Sequence, residues 1–319
     1  MKTILITGAS GFIGQKLINC CFADDNIITL SRGTLPIIKK KSIHIQGDIT
    51  DNNLLESVCN KYRPDLVIHC AGIAHQKIGN IDFDEYLRVN SYASENLAKA
   101  SVVANPDVHF IFLSSISVYG EENIDGFISE EDECNPSSDY ADSKLDAEKR
   151  LVKLYNAGEL KKLDLLRLAP VYDSDWSLNL ERRVFAPGKT AYIKFGSGEQ
   201  KMSAVARSNL VEFIEFIVKK QYEPGERYCN ILNVCDEQPY SFKEIIKTFK
   251  QSKYQPDRVV ITIPLFFVWI LTRLAGLLWK NKKKWLYSCY NKLAQSLIFN
   301  NKKMLDTGFK PAYTLTSVF

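Results

Sequence analysis

Thr7-Gly8-Ala9-Ser10-Gly11-Phe12-Ile13-Gly14, directly after the apolar run Ile4-Leu5-Ile6, decides how the rest of this 319-residue chain is read. The apolar run suits a buried β-strand, and the glycines after it let the chain turn tightly into a helix. Without Cβ atoms they also let backbone N–H groups approach a pyrophosphate at the helix N-terminus. Gly8, Ser10, Gly11, Phe12, Ile13 and Gly14 are therefore candidate cofactor contacts. The spacing is Gly-x-x-Gly-x-x-Gly rather than Gly-x-Gly-x-x-Gly, and a glycine-rich strand-to-helix turn without any ligand can carry the same pattern. Residues further along the chain have to choose between them.

Outward from that turn, strand-like and helix-like segments alternate, which predicts a parallel sheet covered on both faces. Strands are expected at Lys2–Thr7, Ile27–Leu30, Ile43–Gln46, Leu66–Cys70, His109–Leu113 and Leu163–Leu168. Helices are expected at Phe12–Cys21, Asn52–Asn60, Phe83–Val103 (carrying Asn90) and from Asp139 to Tyr155. The fold class is α/β, a doubly wound Rossmann sheet over residues 1–170 with a smaller mixed lobe over 171–319. Segments between about 204 and 235 are expected to pack back on the sheet. In the lobe, Trp176–Val184, Asn209–Lys219 and Phe242–Gln251 read as helices, the last opened by Ser241 as N-cap. Ala191–Phe195 and Tyr228–Val234 read as strands.

Composition is that of a soluble globular protein, with 45% hydrophobic and 24% charged residues. A net charge of +4 makes no case for nucleic acid. The eight cysteines form no Cys-x-x-Cys pair and have no histidine at metal spacing, so they read as reduced thiols of a cytosolic protein without a metal site. Nor does the start read as a secretory leader, since only Lys2 precedes a short, glycine-interrupted apolar run. The most apolar window, Ile261–Trp279, is followed by Lys280, Lys282, Lys283 and Lys284. Pro264 and Arg273 interrupt it, so it falls short of the ~20 apolar residues of a membrane span. Two readings remain: a helix buried in the lobe, or peripheral membrane contact through 264–284, with the lysines at the headgroups of an anionic inner surface.

Tyr140-Ala141-Asp142-Ser143-Lys144 puts a phenol and an ammonium on one helix face. A cation nearby favours the phenolate and is expected to lower the tyrosine pKa from ~10, making Tyr140 an acid/base for a sugar or alcohol hydroxyl. A solvated helix face carries the same spacing. Leu113-Ser114-Ser115-Ile116-Ser117-Val118-Tyr119-Gly120 comes after the fifth strand, at the sheet end where open α/β folds bind ligands. There Ser115 can hold the reacting oxygen, or simply cap a turn. After the second strand, where an acid would bind the adenosine ribose, stand Ser31 and Arg32. An arginine pairs with a 2′-phosphate, which favours NADP(H) over NAD(H), although it can also stack on adenine.

The glycine motif, Asp48-Ile49, Ala71-Gly72, Asn90, Ser115 and Tyr140-x-x-x-Lys144, in this order, resemble the extended short-chain dehydrogenase/reductases, the NAD-dependent epimerase/dehydratase family. The resemblance implies that Asp48 contacts adenine, that Ile49, Ala71 and Gly72 line the cofactor, and that Ser115, Tyr140 and Lys144 act catalytically. Lys144 would also hold the nicotinamide ribose, and Asn90 would support the lysine through water. Lys201–Val211 is similar to a segment of nucleotide-sugar 4-epimerases and 4-keto reductases, and Pro264–Trp279 with Leu293–Pro311 to the C-terminal part of a bacterial subgroup that modifies N-acetylated sugars for O-antigen and capsule, on UDP or polyprenyl diphosphate. By that resemblance Asn179 and Lys201 contact the substrate diphosphate, and the protein is a homodimer. Ser208 stands where relatives usually have Asp, and Asp173 where Gly commonly follows Val-Tyr. Ser115 is followed by Ile116-Ser117 and not by the acidic pair of sugar 4,6-dehydratases, which sets dehydration aside. Arg32 tilts the expectation towards an NADPH-dependent 4-keto reductase over a 4-epimerase. A non-catalytic cofactor-binding sensor or assembly protein is the further alternative, against which the intact Ser-Tyr-Lys set argues.

Overall fold

A computed structural model describes residues 1–35, 42–74, 82–120, 127–220 and 225–319, without the side chains of Lys280, Lys284 and Trp285. The opening alternation gives β1 (Thr3–Thr7), α1 (Phe12–Cys20), β2 (Asn26–Ser31), β3 (Ser42–Gln46), α2 (Asn52–Tyr62) and β4 (Leu66–His69). One long helix comes next in three parts: α3 (Phe83–Tyr86), a π-helical turn (Leu87–Tyr92) and α4 (Ala93–Ala104). Then come β5 (His109–Ser115), a short β6 (Phe127–Ile128), α5 (Asp139–Asn156) and β7 (Lys162–Leu168). The remainder runs β8 (Val171–Tyr172), α6 (Leu178–Val184), β9 (Tyr192–Phe195), β10 (Lys201–Met202), β11 (Val205–Ala206), α7 (Arg207–Lys219), β12 (Tyr228–Val234), β13 (Tyr240–Ser241) and α8 (Phe242–Gln251). It ends with β14 (Val260–Ile263), α9 (Leu265–Leu278), α10 (Lys283–Ala294), β15 (Ile298–Phe299), α11 (Lys302–Asp306) and α12 (Leu315–Val318).

Seven strands form one sheet in the order β12-β7-β5-β4-β1-β2-β3, and every pairing from β7 to β3 is parallel. The reversal of strand order beside β1 is the topological switch of a doubly wound sheet, so the expected fold class holds. The chain divides into two compact units, 1–120 with 133–168 and 211–232, and 121–132 with 169–210 and 233–319. In the first, Leu5, Val67, Phe110 and Leu163 from the strands meet Leu55, Leu97 and Leu151 from the helices, all essentially buried. Each contributes about 1.5–3 kcal/mol relative to exposure, enough to hold the strand ends rigidly.

The second unit has its own core of Tyr172, Leu180, Tyr192, Phe242, Ile245 and Phe249. Buried Asp236 accepts hydrogen bonds from Tyr172 (2.7 Å), Tyr240 (2.9 Å), the Ala206 N–H (2.9 Å) and Asn209 (2.7 Å). Asn209 in turn accepts from the N–H groups of Ala312 and Tyr313. Ser241 caps α8 in a reciprocal box with Glu244. Asp173, one of the two departures from the pattern described above, is neutralised by Arg207 at 2.7 Å.

One local expectation needs correction: the helix expected from Phe83 to Val103 is interrupted by the π-turn around Asn90. The apolar window holds the helix that its spacing from Leu265 to Trp279 suits, α9, and before Pro264 a strand that was not expected, β14, parallel to β9. The β-branched run Val259-Val260-Ile261-Thr262-Ile263 prefers a strand, and Pro264 stops it at the N-cap of the helix.

Candidate active site

In the first unit, a cleft of about 320 Å³ opens where β1 to β4 end. Gly8, Ser10, Gly11, Ser31, Arg32, Asp48, Ile49, Ala71 and Gly72 line it, together with Gly33, Gly47, Cys70 and Val89, which sequence pattern does not single out. Phe12, Ile13 and Gly14 are in the first turn of α1 and do not line it. Gly8 has φ +66°, and a Cβ there would sit 2.7 Å from the Ala71 nitrogen; one at Gly14 would sit 2.4 Å from the Gly8 carbonyl oxygen. Two of the three motif glycines are thus demanded by packing of β1 against β4 and α1. Gly11 caps α1 without a side chain, so the positive end of the helix faces the cleft with no carboxylate or hydroxyl of its own across it.

Asp48 is oriented by the Thr50 N–H and hydroxyl, both at 2.9 Å. Burial pushes its pKa up, but Thr50, Arg32 and Arg88 outweigh that and hold the carboxyl below its usual range. The Ser31 hydroxyl donates to the Gly33 carbonyl at 2.9 Å. Arg32 is exposed beside it. Backbone walls, an anion-accepting helix end and a fixed carboxylate together fit a dinucleotide.

Ser115 ends β5, while Tyr140 and Lys144 sit one turn apart on α5. Ser138 and the first-turn acids Asp139 and Asp142 start that helix. Its buried stripe includes Lys144, Glu148 and Leu151. Tyr140 and Ser115 are hydrogen-bonded. Ser115 also accepts from the Ser117 N–H (3.2 Å) and hydroxyl (2.8 Å), so it serves both the turn and the site. The Lys144 ammonium donates to the Leu113 carbonyl at 2.9 Å and lies 4.6 Å over the Phe112 ring. A Cβ on Gly72 would come within 3.3 Å of that ammonium, so the Ser-Tyr-Lys cluster adjoins the dinucleotide cleft.

The protonation of this cluster differs from the expectation. Burial raises the Tyr140 pKa, against the smaller opposing effect of Ser115, and Lys144 does not lower it. Its ammonium is instead engaged by Leu113, and burial brings Lys144 itself down to about 8.

Asn90 donates to the Ile73 carbonyl (3.0 Å) and Ser143 (3.0 Å) and accepts from the Ile73 N–H (2.7 Å). It ties the exit of β4 to the residue before Lys144, which makes it a positioning residue. A relay that local sequence does not reveal reaches the same point: the Ala71 N–H to Thr7, Thr7 to His69 Nδ1 (2.6 Å), His69 Nε2 to Ser94 (2.8 Å), and Ser94 to the Asn90 carbonyl. Because Ser94 donates to Asn90, it accepts from His69 Nε2–H, and Nδ1 accepts from the Thr7 hydroxyl. Burial, and secondarily Lys144, bring His69 down to about 3. Behind Ser115, Glu148 receives Arg167 at 2.7 Å and Ser114, and Arg167 also donates to the Tyr119 hydroxyl at 2.9 Å. The only advance signal of these groups is a polar residue inside an otherwise apolar strand or buried stripe. Asn179 and Lys201 belong to the second unit, on α6 and β10; Asn179 is half-buried and Lys201 exposed.

The NAD dependent epimerase/dehydratase family matches the chain over residues 4–231. A UDP-glucose 4-epimerase of Vibrio cholerae is 32% identical over 222 residues, which span 67% of this chain and 65% of that protein. An N-acetyl-alpha-D-glucosaminyl-diphospho-ditrans,octacis-undecaprenol 4-epimerase of Escherichia coli O157:H7 is 26% identical, over 98% of this chain and 92% of its own. Among solved structures, the UDP-Glc/GlcNAc 4-epimerase of Campylobacter jejuni superposes with a TM-score of 0.73 at 18% identity, covering 100% of this chain and 97% of that one. A Bacillus cereus UDP-glucuronic acid 4-epimerase in complex with NAD gives 0.72 at 18% identity, over 99% and 95%.

Proposed function

The chain belongs to the NAD dependent epimerase/dehydratase family, and we propose that within it the protein is a 4-epimerase of a diphosphate-linked, N-acetylated hexose. The observation that carries this is the hydrogen-bonded Ser115–Tyr140 pair with Lys144 one turn on, adjoining the dinucleotide cleft. Gly8 to Gly11 and the α1 N-terminus would hold the cofactor diphosphate, and Asp48 and Ile49 the adenine. A nicotinamide dinucleotide, when bound, supplies the reversible acceptor for the hydrogen at sugar C4. Ser115 would hydrogen-bond the sugar O4 and align it with the Tyr140 hydroxyl. Tyr140 would act as the phenolate, its own proton first released to solvent, taking the proton of the 4-hydroxyl as the hydrogen leaves C4 and returning it to the 4-keto oxygen when the hydrogen comes back. Lys144 would hold the nicotinamide ribose with its ammonium, and Asn90 ties its helix to the exit of β4. Lys201, an exposed cation, is suited to the substrate diphosphate, with Asn179 as a neutral partner. Ile116 and Ser117 after Ser115 offer no acid for removing water, so dehydration is not part of the proposal. Relatives that epimerise sugars on UDP or on undecaprenyl diphosphate leave the carrier as either of two diphosphates.

Arg32 favours a second reading, a 4-keto reductase using NADP(H), because no carboxylate stands at the end of β2 to repel a 2′-phosphate. The two separate in one assay: purified protein with UDP-GlcNAc, and with a UDP-4-keto-6-deoxy sugar, each with NAD+ or NADPH. Interconversion of 4-epimers without net cofactor change is the expected result. Stoichiometric loss of NADPH with the keto sugar would replace epimerase by reductase.

A further inference from the structure

We propose that α9 and the lysine-rich turn after it form a peripheral anchor that lies on an anionic lipid surface. The proposal is independent of the reaction assigned above. The inward face of α9 is formed by Leu265, Val268, Thr272, Ala275 and Gly276, of which only Gly276 is fully buried. The outward stripe, Phe267, Leu271, Leu274 and Leu278, is 57%, 66%, 53% and 77% exposed. Phe266, Leu277 and Trp279 add to it at 64%, 70% and 58%. The helix thus offers water a more apolar face than it offers the protein, the reverse of a surface helix in a globular fold.

The patch is fixed in the second unit rather than dangling. β14 leads into it, and the Gly196 N–H donates to the Ile263 carbonyl at 2.9 Å. At Gly276 a Cβ would sit 3.4 Å from Lys283 Cγ and 3.8 Å from Tyr287, ordinary contact distances that mark where α10 packs against α9.

Charge identifies the occupant. From Arg258 to Leu305 there is no Asp or Glu, while Arg258, Arg273, Lys280, Lys282, Lys283, Lys284 and Lys292 supply seven cations besides Lys302 and Lys303, which pair with Asp306 and Glu131. The whole chain carries only +4, so the rest of it is net acidic. Lys282 and Lys283 are exposed directly after the apolar stripe, and the Arg273 guanidinium lies 4.8 Å over the Trp269 ring. Apolar side chains flanked by exposed cations and aromatic rings match the acyl and phosphate layers of an anionic membrane face. The helix has 14 residues, about 21 Å at 1.5 Å each, against a hydrocarbon core of ~30 Å. Among the described residues no helix is long and apolar enough to cross a membrane. The geometry is that of a helix lying in the interface.

The test is co-sedimentation with phosphatidylcholine vesicles, with and without phosphatidylglycerol. Wild-type protein is expected to sediment with the phosphatidylglycerol vesicles at low salt and to be released by salt. L271D/L278D is expected to lower the bound-to-free ratio at least tenfold at every salt concentration. K282E/K283E is expected to lower it on the order of tenfold at low salt only. Thermal melting and cofactor titration confirm that each variant is folded. Absence of wild-type binding, or equal binding by L271D/L278D, would overturn the proposal. So would a wild-type dimer in equilibrium sedimentation that L271D/L278D dissociates without any vesicle binding, which would give the face to a second copy of the chain.

Discussion

α5 and α9 depart from ordinary burial in opposite directions. α5 is rich in charge and tucks Lys144 and Glu148 against the sheet, at 6% and 3% exposure. α9 carries one charge, Arg273, and leaves most of its apolar side chains in water. Neither arrangement favours the fold: a buried ammonium loses hydration, and an exposed leucine forgoes the transfer of its surface out of water. Each makes sense only with something the chain itself does not supply. For α5 the proposed partners are a cofactor and a sugar that would use a dry, fixed cation beside a phenol; for α9 the proposed partner is a lipid surface. The support around the two helices differs accordingly. α5 is backed by paired groups, including Arg167 and Glu148, whereas the outer face of α9 meets solvent.

That contrast can be broken experimentally, and the largest effect should come from Lys144. Lys144→Met is expected to reduce turnover on the order of 10³-fold while leaving the melting temperature unchanged or higher. Burial brings this lysine from its usual value to about 8, a cost to the protonated form of about 3 kcal/mol. Below about pH 8 both folded and unfolded chains hold the proton and the full cost is present. Between 8 and 10.5 only the unfolded chain holds it, so wild-type stability rises with pH there, and the Met variant lacks that rise. Denaturant melts at pH 7 and pH 10 measure it; a less stable Met variant at pH 7 would show that the Leu113 contact outweighs desolvation.

His69 comes next. Its imidazole is held neutral to about pH 3, so below 6.5 the unfolded chain takes up a proton that the folded chain does not. Stability should fall with acid through that window, by about 3 kcal/mol at pH 4. His69→Gln should flatten the slope whatever it does to stability at neutral pH. The smallest effect belongs to α9: Leu278→Asp should shift folding free energy by no more than about 0.5 kcal/mol in a urea melt. A large loss would mean that this face packs against the protein in solution.

Much of the site was legible because it is local. The strand–glycine–helix turn at Gly8–Gly14 and the four-residue step from Tyr140 to Lys144 are periodic features that a window of sequence contains. Asp48 and Ser115 could be assigned to strand ends once the alternation was read. What was not legible depends on distance or burial. β6 with β15 and β10 with β13 are two-residue pairings between remote segments and carry no local signal. The Thr7–His69–Ser94–Asn90 relay joins separate elements in the same way. The rise in the Tyr140 pKa could not be anticipated from spacing alone, because spacing reports the neighbouring cation and omits desolvation. At Pro264 the apolar content of the window hid a strand whose β-branched residues were the available clue.

The most direct measurement of the central claim uses sugar labelled with deuterium at C4, as UDP-GlcNAc and as polyprenyl-diphosphate-linked GlcNAc, with no NADPH added. A 4-epimerase built on Ser115, Tyr140 and Lys144 gives the 4-epimer of at least one carrier with deuterium still at C4, and Tyr140→Phe gives none while still binding cofactor. Failure of the wild-type protein to convert either carrier, or undiminished conversion by Tyr140→Phe, would contradict it.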